Sequence, residues 1–136
     1  MSTKTMIAGL IGGVTSYLLG FLLYGILFRD MTNELAGMPG IMRADADMIW
    51  WALILGNLSM GMFTAYIYAT WTSISTFMTG LRAGAVIGLF MSVGWDMISY
   101  ATTKIFTLNG AFLDIALVIV MGGVIGGVVG WWLGRK

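Results

Sequence analysis

Four long apolar runs, residues 6–28, 48–70, 81–101 and 112–133, constrain this chain more than any other feature. Each is close to the roughly 20 residues that a helix needs to cross ~30 Å of hydrocarbon. Their interiors carry no Lys or Arg, with Arg82 only at the edge of the third. A soluble fold would need a charged surface to cover such runs. Charged residues make up only 10% of the 136 residues, against about 25% in ordinary soluble domains. The expected fold is therefore all-α, an integral membrane four-helix bundle. It forms a single transmembrane domain over residues 1–136, with the lipid bilayer as its solvent.

What is missing excludes several functions. The net charge is +1 with no basic stretch, so nothing neutralises a phosphate backbone and no nucleic acid is expected. There is no Cys and no His. That removes disulfides, thiolate chemistry, serine–histidine triads and the commonest metal ligand. No cofactor, metal or catalytic residue is expected, and the chain does not read as an enzyme. Asp45 and Asp47, one residue apart, offer too few oxygens for a shaped calcium loop. Asp47 is expected to cap the second span instead. The first run is too long for a signal h-region and lacks a small-residue cleavage pattern. It reads as a retained membrane helix.

Small residues recur at helical spacing. Gly9, Gly13, Ser16 and Gly20 share a face of the first span, followed by Tyr24. Gly80, Gly84 and Gly88 do so in the third, and Gly122, Gly126 and Gly130 in the fourth. Such stripes let helix backbones approach closely in lipid, where packing replaces the missing hydrophobic drive. Stripes on three helices exceed what one short bundle needs, so a homo-oligomer is expected. Trp50 and Trp51, then Tyr66, Tyr68 and Trp71, place aromatics at both ends of the second span, as an interfacial belt requires. Asn109-Gly110 marks a turn or cap before the fourth. Asp114 is expected in its first turn, near the interface.

Asp96 is the acid that falls well inside an apolar run. A charged Asp at mid-membrane costs about 2.5–3.5 kcal/mol, and such residues face the bundle or water. Counting from the span ends at 1.5 Å per residue, Asp96 and Asn57 meet at similar depth. Tyr24 lies near the same surface, and Ser92, Ser99 and Tyr100 sit within one turn on the same helix. The expected site is a polar cluster of Asp96, Asn57, Tyr24, Ser92 and Tyr100. It serves either as a structural hydrogen-bond knot or as a proton or cation site coupled to solute movement.

The segments LLGFLLYGILF, LGNLSMGMFTAYIY, STFMTGLRAGAVIGL and SVGWDMISY, with the glycine-rich last run, carry a resemblance. The chain resembles small four-helix bacterial membrane proteins of the DUF1761-like group. The resemblance implies a bacterial inner membrane and brings no activity with it. Small fluoride channels share a Ser-Thr-Phe run, here Ser75, Thr76 and Phe77, but the arginine of their first helix is missing. Lys4, Arg82, Arg135 and Lys136 against Arg29, Arg43 and Lys104 favour both termini in the cytoplasm by the positive-inside rule. The leading expectation is a structural or accessory membrane protein. The alternative is a small ion- or proton-coupled transporter or channel using Asp96.

Overall fold

The computed structural model describes residues 1–136, and it is all-α. Helix α1 spans Thr3–Leu22 and continues as a π-helical turn, Leu23–Leu27. A short α2, Arg29–Glu34, opens the long loop, which ends in a 3₁₀ turn at Asp45–Asp47. Helix α3 spans Trp50–Ile67 with a π turn at Tyr68–Thr72; α4 is Phe77–Thr102 and α5 is Leu108–Leu133. With their π turns, α1, α3, α4 and α5 are long and apolar enough to cross a membrane, the arrangement of a multi-pass membrane protein.

Hydroxyl side chains start three of these helices. Ser2 accepts from the Thr5 amide, Thr76 from that of Thr79 and Thr107 from that of Gly110. Each satisfies one of the orphan donors of a first turn. Two expected boundaries change as a result. The third span begins at Phe77 and the fourth at Leu108, each four residues earlier than hydropathy suggests. Asn109 and Gly110 lie inside α5 and do not cap it. Asp47 does not cap the second span either: α3 starts after Ile49 with no side-chain cap.

The helices pair as two antiparallel hairpins, α1 with α3 and α4 with α5. Contact between α1 and α5 joins them, and α3 also touches α5. Backbones meet where the glycines are. A Cβ on Gly13 would stand 2.8 Å from the Leu58 Cα, and one on Gly9 3.0 Å from the Met62 Cα. Gly12 faces Gly61 in the same seam. Between α4 and α5 the match is tighter: Gly84 sits against the Gly122 carbonyl, Gly80 against that of Gly126, and Gly88 against that of Val118. Gly130 completes the seam against Thr76 and Gly80. Gly20 makes only ordinary contact, 3.7 Å from Met121 of α5.

Tyr68 ties the hairpins together. It is fully buried, and its hydroxyl donates to the Gly80 carbonyl at 2.6 Å. Ala8, Ala65, Ile125 and Val129 pack around it. Few other large apolar side chains are buried. Trp51, Phe90, Trp95 and Ile98 all point outward. This inversion costs nothing where the surrounding medium is as apolar as the side chain. The termini share one end of the molecule, where the Lys4 ammonium donates to the Arg135 carbonyl. The long loop and the α4–α5 connection share the other.

Candidate functional site

The site lies in the half of the bundle nearest the long loop. The α4–α5 register that sets Gly84 against Gly122 and Gly88 against Val118 also positions the rest of α4 toward its C-terminal end. It brings Asp96 within about one helical turn of Asp114 across the seam. Asp114 stands nearly two turns inside α5, because that helix starts at Leu108. The acid expected at the interface is therefore part of the interior site.

Asp96 is 0% exposed, and neither of its oxygens receives a hydrogen bond. The Asp114 carboxyl lies near it across the seam, close enough for the two to share a proton. Tyr24 donates its hydroxyl to Asp114 Oδ1 at 2.7 Å. The π turn of α1 places it there: the Phe28 amide bonds to Leu23 instead of Tyr24, adding a residue to the turn. Such turns appear frequently at functional sites. No Lys or Arg pairs with either acid, since Arg29–Asp45 is the ion pair of the chain.

Of the five expected cluster members, the structure brings Asp96 and Tyr24 together through Asp114. Ser92 shares the buried face of α4 but turns its hydroxyl back to Gly88 O, 2.7 Å away. Asn57 is elsewhere. It accepts from Ser16 at 2.6 Å and donates to Leu53 O, so its amide is satisfied in the α1–α3 seam. Tyr100 is exposed on the outer face of α4. Equal depth did not make Asn57 a neighbour, because α4 packs on α5 and not on α3. Asp114 is the member that the expected cluster lacked. Thr107, a hydroxyl residue five positions before a long apolar run, was the available signal for the earlier helix start.

A cavity of about 270 Å³ opens on Tyr24 and Asp114 from the loop side, with Asp96 buried outside its lining. Tyr24 and Asp114 form its polar end; Leu35, Ile41, Met42, Ile105 and Phe106 line much of the rest. The loop is fastened along one wall. The Gly37 amide donates to Ile105 O at 3.0 Å, and the Thr107 hydroxyl donates to Leu35 O at 2.6 Å. Further out, Arg29 and Asp45 pair at 3.2 Å. Chemically, this is a carboxyl pair steadied by a phenol, with Asp114 reachable from the loop side and Asp96 buried behind the lining. No protein-family model, curated protein or solved structure matches the chain. Any functional reading therefore rests on the chain's own residues.

Proposed function

We propose that the chain is a small proton- or cation-coupled membrane carrier whose ion site is the Asp96–Asp114 pair. One observation carries this reading: a fully buried carboxyl that no amide or hydroxyl reaches, set against a second carboxyl with which it can share a proton. A structural knot would satisfy its oxygens, as buried polar groups are in most structures. Two adjacent negative charges in a dry interior repel strongly. A shared proton or one monovalent cation relieves that repulsion. Emptying and refilling such a site is the elementary step of coupled transport, and intramembrane acids commonly mark ion pathways.

The accessory reading keeps one argument. The α4–α5 seam is backbone on backbone, which suits a rigid packing element, and the outward Gly56 and Gly94 have nothing within 4 Å. Those two open glycines also support the homo-oligomer. A bacterial inner membrane and cytoplasmic termini belong to the same proposal, the orientation supported by the small excess of Lys and Arg on the termini side.

The test is flux into proteoliposomes under an imposed pH gradient, wild type against Asp96→Asn and Asp114→Asn. Asn preserves the shape of each side chain and removes its ionisation. Loss of flux in both variants, with helicity and monodispersity retained, is the expected result. Equal flux in all three, or none in any, leaves the accessory reading.

A further inference from the structure

We infer that the cavity beneath the long loop binds an organic monocation, an ammonium head on an apolar body about the size of one ring. The inference names the substrate class of the carrier site and rests on that reading. The cavity, at about 270 Å³, falls just below the roughly 300–1,000 Å³ of ligand pockets. It holds one compact apolar body and little more.

Three features select the charge. Asp114 is the one charged residue of the lining. Tyr24 donates to its Oδ1 at 2.7 Å, and no other hydroxyl or amide of the chain donates to this carboxyl. Behind it stands Asp96, fully buried and without a donor. A single positive charge at the Asp114 end would meet that carboxyl directly, and Asp96, which lies outside the lining, only at longer range. An anion there would meet repulsion with no Lys or Arg in the lining to offset it. A neutral apolar ligand would cover the Asp114 carboxyl without giving it a donor, at the usual cost of a buried polar group without a partner.

The walls select the body. Ile41, Met42, Ile105 and Phe106 offer apolar surface, and Met adapts to irregular shapes. The rings of Phe106 and Tyr24 both border the space, and an ammonium near an aromatic face gains cation–π attraction. Access falls to the outer loop. Its inner end is fixed by the bonds of Gly37 and Thr107 to the α4–α5 connection and α2 end. Across residues 38–47 the one side-chain tie to the rest of the chain is the exposed Arg29–Asp45 pair. Such exposed pairs contribute little, so that stretch can open without disturbing the helices.

The probe is benzyltrimethylammonium, titrated calorimetrically into the purified full chain in nanodiscs. The control ligand is neopentylbenzene, the neutral isostere with carbon in place of nitrogen. The expected result is saturable binding of the ammonium, with the isostere weaker by about tenfold or more, a factor worth 1.4 kcal/mol. Asp114→Asn should weaken the ammonium by a similar factor and leave the isostere unchanged. Phe106→Leu should weaken both, which shows the probe sits in this cavity. Equal binding of the two ligands would mean an apolar occupant such as a lipid chain and would overturn the inference. So would ammonium binding that ignores Asp114→Asn, or no ammonium binding at all. Asp96-dependent proton flux without ammonium binding would sink this inference and spare the carrier. Asp114-dependent binding without any flux would do the reverse.

Discussion

Adding one methyl group to α4 should have opposite effects at two glycines ten residues apart. At Gly84 a Cβ would stand 2.9 Å from the Gly122 carbonyl carbon and 3.0 Å from the Gly126 Cα, with the Gly122 oxygen nearer still. All three are backbone atoms, so no side-chain rotation relieves the contact. Carbon atoms prefer about 3.5–4.0 Å, so α4 and α5 must separate by roughly 0.5–1 Å. A gap of that size forfeits about a quarter to a half of the dispersion energy along the seam. Overpacking of this kind costs about 1–3 kcal/mol. At Gly94 a Cβ meets nothing within 4 Å, and Ala is favoured over Gly in a helix by up to about 1 kcal/mol. Gly84→Ala should therefore lie about 2 kcal/mol below Gly94→Ala, roughly a 30-fold difference in the unfolding equilibrium. SDS titration in mixed micelles, followed by circular dichroism, measures both. Coincident midpoints would refute the close approach of α4 and α5, and with it the register that brings Asp96 to Asp114.

Two further substitutions test the joints of the bundle. Tyr68→Phe removes the bond to Gly80 O from a fully buried site and should cost about 0.5–1.5 kcal/mol; an unchanged SDS midpoint would show that the hydroxyl does not join the hairpins. A double-mutant cycle on Ser16→Ala and Asn57→Ala should give a coupling near 0.6 kcal/mol, typical of hydrogen bonds between membrane helices. Zero coupling would remove that pair from the α1–α3 seam, and any loss of Asp96-dependent flux in Asn57→Ala would return Asn57 to the ion site.

The carboxyl pair explains why an intramembrane acid is easier to find than to interpret. Asp96 was visible because nothing around it in sequence is charged. Its partner was hidden by a boundary. Hydropathy starts the last span at residue 112, and the Thr107 cap starts it at Leu108. That difference carries Asp114 from an interfacial first turn to the interior. Asn57 failed as a partner for another reason. Depth is one coordinate of three, and it says nothing about which helices are neighbours.

The sequence by itself determined the spans, because twenty apolar residues have one stable way to satisfy their backbone in lipid. It also determined which positions permit close approach, because small residues at spacings of three and four fall on one face whatever that face meets. Only the tertiary structure decided which stripe meets which. It set Gly84 on Gly122 and Gly13 on Leu58, turned Tyr24 through a π turn toward α5, and folded the loop over the Asp96–Asp114 pair. Those choices depend on the shapes of four helices packed at once, and no local run of residues contains them.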